Sequence, residues 1–297
     1  MRIAVSGGTG FIGQPLVERL LGQGHQVLLL TRDPSKVAPR AGVEAAALFP
    51  APDLSGCDAA VNLAGEPINQ RWTGAAKRRI LDSRVRATSA VAEGARRSGS
   101  VKVLVSASAT GFYGARGEEI LDETSPRGND FTAQVCSAWE EAARPAADAG
   151  LRLAILRIGV ALHTAGGALK KMLPPFRLGL AGPLGSGRQW MSWVHRDDVV
   201  SLALHALRSP GASGVLNATA PEPATNADFT RALARALHRP AFLRAPGAAL
   251  RLALGEMSTL LLDGQRVLPR RTLETGFQFA YPTLDAAFAH LFPRAAA

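Results

Sequence analysis

Cysteine is scarce: Cys57 and Cys136 are the only two in 297 residues. That is too few for a disulfide framework, and their spacing excludes a CxxC zinc site. Tyrosine is as scarce, with only Tyr113 and Tyr281, a shortage that bears on mechanism. No apolar run approaches the roughly 20 residues of a membrane span. The opening MRIAVSGG reaches its glycines after three apolar residues, which does not make a signal peptide. These absences predict a soluble, reduced, cytoplasmic protein. Lysine is also thin within a net charge of +10: five lysines (Lys36, Lys77, Lys102, Lys170, Lys171), the remaining basic residues being arginines scattered among alanines. Nucleic-acid binders cluster basic residues and interleave aromatics. Here the densest cluster, Lys77-Arg78-Arg79, falls in a helical stretch and reads as a solvated face. A local site for a small anion fits the charge better than nucleic acid or a membrane surface. With 47% apolar and 20% charged residues, the chain can build one large α/β domain or a main domain with a smaller partner.

Short apolar runs alternate with helical patterns through the first half, as parallel strands joined by crossover helices would. The strands are expected at Arg2–Ser6, Gln26–Thr31, Val43–Leu48, Ala59–Leu63, Lys102–Ser106 and Arg152–Arg157. Amphipathic stretches lie at Phe11–Leu21, Thr73–Arg97 and Phe131–Ala149. The strands are continuous apolar runs, which implies a sheet covered on both faces. After Arg157, residues 164–188 are rich in Gly and Pro and read as a long loop with a short helix around Ala168–Met172. Trp190–Val194 and Gly214–Ala218 read as strands, and Arg196–Leu207 as a helix opened by Asp197 or Asp198. Further helices are expected at Asn226–Leu237, Ala248–Leu262 and Leu284–Leu291. Within the second of these, Leu250, Leu254, Met257 and Leu261 form a stripe expected to be buried.

The strongest chemical signal is Val5-Ser6-Gly7-Gly8-Thr9-Gly10-Phe11-Ile12-Gly13, placed after a strand and opening a helix. Gly7 permits a tight turn, Gly10 lets backbone approach a pyrophosphate, and Gly13 allows close helix–strand packing. The helix N-terminus adds unpaired N–H groups and a positive dipole. Glycine triplets also occur in ordinary turns; the strand–turn–helix context is what points to a dinucleotide. The second strand ends Leu30-Thr31-Arg32-Asp33. Arg32 at that tip suits the 2′-phosphate of NADP, with Lys36 one helical turn on, whereas Asp33 as ribose partner would suit NAD. The arginine favours NADP(H).

These residues resemble the short-chain dehydrogenase/reductase superfamily, on its extended, NAD-dependent epimerase/dehydratase side. Asn62-Leu63-Ala64-Gly65 looks like the cofactor-contacting turn after the fourth strand. Ser106-Ala107-Ser108 followed by Tyr113-Gly114 is similar to the active-site serine segment. More narrowly, Asn62–Ile68 (NLAGEPI), Arg71-Trp72-Thr73, Ser83-Arg84-Val85, Trp190–His195 and Gly264–Phe279 resemble an atypical "epimerase family protein" group with its own C-terminal extension. The resemblance implies a Rossmann-type, doubly wound parallel sheet with a smaller C-terminal substrate domain. Residues 1–163 and 192–222 would form the former, and 164–191 with 223–297 the latter. It also implies cofactor contacts from Gly7, Thr9, Gly10, Phe11, Ile12, Gly13, Arg32, Asn62, Leu63, Ala64, Gly65 and Ser106.

One departure is chemical. The superfamily's YxxxK dyad, in which tyrosine hands on a proton and lysine lowers its pKa, is missing. With Glu140 as anchor for that helix, the two positions fall on Thr132 and Cys136. A threonine hydroxyl is a poorer proton donor than a phenol, and a thiol does not replace an ammonium. Ser108, Tyr113 and Arg84 remain as catalytic candidates: Ser108 to hydrogen-bond a substrate carbonyl, Arg84 to hold an anionic group. Each has a plain alternative, as a strand-end serine, a packed tyrosine and a helix-surface arginine. Cys136, with no nearby histidine, is expected to be a structural thiol. His195-Arg196-Asp197-Asp198 reads as a helix cap, and no histidine shows metal-ligand spacing. Residues 164–188, with Lys170, Lys171, Arg177 and Arg188, would form a mobile basic lid beside a Trp190–Trp193 wall. The expectation is a monomeric or homodimeric NADP(H)-dependent oxidoreductase acting on a small, anionic substrate. A non-catalytic NADPH-binding sensor is the rival, and a nucleotide-sugar epimerase is disfavoured by the missing tyrosine.

Overall fold

A computed structural model describes residues 1–293. Along the chain run β1 (Arg2–Ser6), α1 (Gly13–Gly22), β2 (Gln26–Thr31), β3 (Val43–Ala47), β4 (Ala59–Asn62), α2 (Gly74–Ser98), β5 (Val103–Ala109) and the short β6 (Ile120–Leu121). Then come α3 (Phe131–Glu141), α4 (Arg144–Asp148), β7 (Arg152–Ile158), β8 (Val160–His163) and α5 (Gly167–Arg177). The remainder holds β9 (Trp190–Met191), β10 (Trp193–His195), α6 (Arg196–Arg208), β11 (Gly214–Ala218), β12 (Ala224–Thr225) and α7 (Asn226–Leu237). The tail adds α8 (Gly247–Leu254), α9 (Thr259–Leu262), β13 (Arg266–Val267), α10 (Arg270–Glu274) and α11 (Leu284–Leu291).

Seven parallel strands form one sheet in the order β3-β2-β1-β4-β5-β7-β11. The chain winds outward from β1 in both directions, the doubly wound arrangement whose ligands sit at the carboxyl edge of the strands. The continuous apolar runs are explained by strand alternation. Ile3, Val5, Val27, Leu29, Val61 and Val105 bury against α1 and α6. Ala4, Leu28, Leu30, Ala60 and Leu104 bury against α2 and α4 on the other face. Both faces are dry, so neither set is polar.

Four expectations need correction. The long Phe131–Ala149 helix breaks at Ala142, and Pro145 opens α4, where a missing N–H costs nothing. Within residues 164–188 lies α5, longer than the short helix expected, which buries Leu169, Leu173 and Phe176. The prolines Pro174 and Pro175 lie inside that helix and hid its period. Lys170, Lys171, Arg177 and Arg188 are all exposed on it and its flank, so this is a packed element rather than a basic lid. The expected Ala248–Leu262 helix is three pieces broken at Gly255, and Leu250, Leu254, Met257 and Leu261 are only half-buried. Finally, α6 is capped by His195, whose ring accepts from the Asp197 amide. Asp198 is instead buried and accepts from the Ala280 and Tyr281 amides.

The tail serves both parts of the chain. Phe277 is buried in the core beneath α6, while Phe288 packs on Phe229 of α7 in a separate core with α5 and Trp193. Among the described residues no helix is long and apolar enough to cross a membrane.

Candidate functional site

The glycine loop follows β1 at the carboxyl edge of the sheet. Gly7 has φ +71°, and a Cβ there would lie 2.7 Å from the Leu63 carbonyl carbon. Only glycine allows the loop to press on the Leu63–Ala64 turn, which brings two predicted cofactor segments together. A Cβ on Gly13 would run into the Gly7 carbonyl oxygen, the acceptor for the Gly10 amide at 2.9 Å. Helix α1 then starts at Ile12 with no side-chain cap, whereas Thr73, Asp130, Thr225 and Thr283 cap α2, α3, α7 and α11. Among the described residues the Phe11, Ile12 and Gly13 amides have no acceptor. An uncapped helix start of this kind fits a pyrophosphate: its donors and dipole are unspent.

At the tip of β2 the two candidate ribose partners separate. The Asp33 carboxylate accepts from the Ser35 amide at 3.2 Å and hydroxyl at 2.6 Å, and pairs with Lys36 at 3.0 Å. The Ser35 bonds, then the Lys36 contact, hold its pKa below the usual carboxylate value. Arg32 is exposed and makes no side-chain hydrogen bond among the described residues. The carboxylate is turned into its own turn, and the guanidinium faces outward.

Asn62 lies beneath the site rather than in it. It is fully buried; its Oδ1 accepts from Ser6 Oγ at 2.5 Å, and its Nδ2 donates to Thr88 Oγ1 at 2.7 Å and Ser106 Oγ at 3.4 Å. Asn62 and Ser106 therefore spend their side chains bracing β1, β4, β5 and α2. Leu63, Ala64 and Gly65 carry the open surface of that turn.

The catalytic candidates join a buried network. Ser108 Oγ donates to Glu140 Oε1 at 2.7 Å. Glu140 takes a bidentate pair from Arg157, both contacts 2.8 Å. Arg157 stacks 3.3 Å over the Phe112 ring and donates to the Tyr113 hydroxyl at 3.0 Å, which donates to Asn217 at 2.7 Å. Tyr113 is completely enclosed, and burial pushes its pKa up to about 12. Its position braces β7 and β11 and does not reach a substrate. Ser108 uses its only hydroxyl hydrogen on a carboxylate, so it can accept a hydrogen bond but not polarise a carbonyl, the role expected for it.

The dyad positions are equally committed. Thr132 donates towards Asp130 at 2.7 Å and Gly111 at 3.2 Å. Cys136 is buried, and desolvation pushes its thiol pKa up to about 12, so it stays protonated and is no nucleophile at neutral pH. Arg84 is half-buried above the Trp139 ring, 4.9 Å away, and its Nη1 donates to the Glu66 carbonyl at 2.9 Å and the Ile80 carbonyl at 3.0 Å. Its stem packs on Gly65. It braces the open turn, and is not the free helix-surface arginine of its plain reading.

His195, Asp197 and His290 place potential ligand atoms within 4.8 Å of one another. The cap settles the tautomer: His195 Nδ1 accepts from the Asp197 amide, so Nε2 carries the proton and faces His290 Nδ1 at 3.2 Å. Neither nitrogen of His195 is then open to a metal. Burial, chiefly, lowers the His195 pKa to about 4. Between pH 6.5 and 4 the unfolded chain binds a proton that the folded chain refuses, so stability falls as pH falls through that window. Urea unfolding at pH 7 and pH 5 should show a smaller loss for His195→Asn, whose amide still caps the helix; equal losses would show that His195 does not drive it.

The structure thus gathers the glycine loop, Arg32, Leu63–Gly65, Arg84 and Ser108 along one edge of the sheet. The sequence did not reveal Glu140 as a buried anion paired with Arg157, nor Asn217 as the acceptor for Tyr113. Arg157, a charge within the apolar run Arg152–Ile158, was the available signal, because a buried guanidinium demands a buried partner.

Residues 3–218 match the family described as NAD dependent epimerase/dehydratase, and residues 245–291 match a domain of unknown function, DUF1731. The human "Epimerase family protein SDR39U1" is 40% identical over 297 residues, covering 98% of this chain and 99% of that protein. The Arabidopsis thaliana "Epimerase family protein SDR39U1 homolog, chloroplastic" is 43% identical over 299 residues, covering 95% and 84%. A crystal structure of human SDR39U1 (isoform 2) with NADPH superposes with a TM-score of 0.91 at 39% identity, covering 99% of this chain and 100% of that one. A UDP-galactose 4-epimerase shares the fold, with a TM-score of 0.72 at 20% identity. With a seven-stranded parallel sheet, the glycine loop and a matching C-terminal extension, the chain belongs to the NAD-dependent epimerase/dehydratase family, within its SDR39U1-like epimerase family proteins.

Proposed function

We propose that this protein binds NADP(H) along the carboxyl edge of its sheet and acts as an oxidoreductase on a small organic anion. The carrying observation is the uncapped start of α1 beside a β2 tip where Asp33 is bound to its own turn and Arg32 is exposed. The NADPH in the human relative's crystal structure supports the same reading. Amides of Phe11, Ile12 and Gly13 would hold the pyrophosphate, with Thr9 and Gly10 beside them. Arg32 would take the 2′-phosphate, with Leu63, Ala64 and Gly65 as the neighbouring wall. When bound, the cofactor supplies a hydride at its nicotinamide. Ser108, its hydroxyl hydrogen-bonded to Glu140, would accept an N–H or O–H from a ligand. Arg84 would hold the turn from Gly65 to Glu66 in place.

Calorimetric titration of Arg32→Ala tests the cofactor half. NADPH binding should weaken by about 1–3 kcal/mol, the loss of a charge-assisted pair, with NADH nearly unaffected. Equal affinity of the parent protein for the two nucleotides would sink this reading.

A second reading has its own observation: Ser108, Thr132 and Cys136 all have committed or buried protons, so no side chain at the dyad positions is set to protonate a substrate. That suits a protein that reports NADPH to a partner without turning it over. NADPH absorbance followed across aldehydes, ketones and enones, with and without a carboxylate, separates the two. Turnover above the buffer rate supports the enzyme, and tight binding without turnover supports the sensor.

A further inference from the structure

Arg266 differs from the other enclosed arginines. Arg84 and Arg152 donate to backbone carbonyls, Arg157 pairs with Glu140, and Arg196 pairs with Asp197. Arg266 is half-buried in β13 and lies 4.3 Å over the Trp190 ring. Its side chain has no ion pair or hydrogen bond among the described residues, and its Nε is buried with no partner. Glu118, whose Oε2 accepts from Trp190 Nε1 at 2.6 Å, is exposed and makes no ion pair with Arg266 among the described residues. Buried donors are normally satisfied, so an unmatched one asks for a ligand.

The location is also informative. Ser192 Oγ donates to the Gln265 carbonyl at 2.7 Å and accepts from the Val267 amide at 2.9 Å. Gly159, directly after β7, packs so closely on the Ser192 carbonyl that a Cβ would not fit. Since Ser108 and Arg157 are register partners on β5 and β7, β13 and Trp190 sit just past the strand ends where Ser108 lies. The Gln189 Oε1, adjacent in sequence to Trp190, is buried and unpartnered as well.

We propose that Arg266, flattened against Trp190, binds the anionic group of the substrate, a carboxylate or phosphate on a flat apolar body. This deepens the oxidoreductase reading and rests on it for the word substrate. The guanidinium fork matches either oxyanion in bidentate fashion, and its stacking fixes the plane of that fork. The indole offers an apolar face beside it.

Benzoate, phenyl phosphate and neutral benzamide, titrated calorimetrically with and without saturating NADPH, test the site. At least one anion should bind saturably and benzamide should not; which anion binds tells carboxylate from phosphate. Arg266→Gln should weaken that anion at least tenfold and Arg266→Lys less, with NADPH affinity within twofold of the parent in both. Arg266→Gln should melt only slightly below the parent, because it loses the stacking on Trp190 but breaks no ion pair; if it fails to fold, Arg266→Lys carries the comparison. Benzamide binding as well as benzoate, neither anion binding, or unchanged anion binding in both variants would overturn the proposal. So would loss of NADPH affinity in a folded variant, which would place Arg266 on the cofactor. Failure of the parent to bind NADPH defeats the cofactor reading alone, since the anion titration is also read without it.

Discussion

Glu140→Gln should unfold at a markedly lower urea concentration than the parent, with about 3–5 kcal/mol of stability lost. Glutamine keeps the shape and an acceptor for Ser108, but leaves the Arg157 guanidinium enclosed without a counter-charge. The side chains of this pair are only 5% and 11% exposed, so water cannot replace the missing carboxylate. Breaking one partner of such a pair costs far more than the pair contributes over an apolar replacement. The double variant Glu140→Gln/Arg157→Met should therefore recover much of the loss. A loss below about 1 kcal/mol for the single variant, the range of a surface pair, would mean that the network is solvated and that Ser108 is not held as described.

The second large effect is on cofactor binding. Gly13→Ala should lower NADPH affinity at least 100-fold, about 2.7 kcal/mol. The added methyl meets the Gly7 carbonyl and, at 2.7 Å, the Gly8 Cα. Both are backbone, so nothing flexible can move aside, and the loop must leave the shape that presents its amides. Gly22→Ala, at the other end of the same helix, meets nothing within 4 Å and should bind NADPH normally. Calorimetry on folded samples compares the two; normal NADPH affinity in Gly13→Ala would show that the loop does not carry the pyrophosphate.

The sheet was legible because its strands must be apolar on both faces and its glycines sit where backbone touches backbone. Gln26–Thr31 and Gly214–Ala218 are found at the predicted limits, and so is the helix Asn226–Leu237, whose apolar period is unbroken. Failures came where local rules yielded to packing. Pro174 and Pro175 read as breakers, yet α5 tolerates them because Leu169, Leu173 and Phe176 bury its other face. His195 caps α6 where aspartates were expected, since Asp198 is drawn inward to the Ala280 and Tyr281 amides. The glycine loop was readable from motif and spacing, since Gly7 presses on the Leu63–Ala64 turn and Gly13 on the Gly7 carbonyl. The roles of Asn62, Ser106 and Tyr113 were not, because whether a polar side chain faces a ligand or a neighbouring strand depends on contacts remote in sequence. Arg266 carried no signal, since Trp190 lies 76 positions before it.

Asp198 on α6 grips residues 280–281 and Glu123 grips the amides of Arg271 and Thr272, while Asn217 donates to the Leu268 carbonyl. The carboxyl-terminal block is therefore keyed to positions far back in the chain, these three and Ser192 among them. Such a block is not an exchangeable attachment. A graft of residues 245–291 from one relative onto another inherits its locks only if positions 123, 198 and 217 travel with it, and drift at those positions is constrained by a partner far along the chain. An exchange of either matched segment would therefore have to carry the other's gripping residues with it.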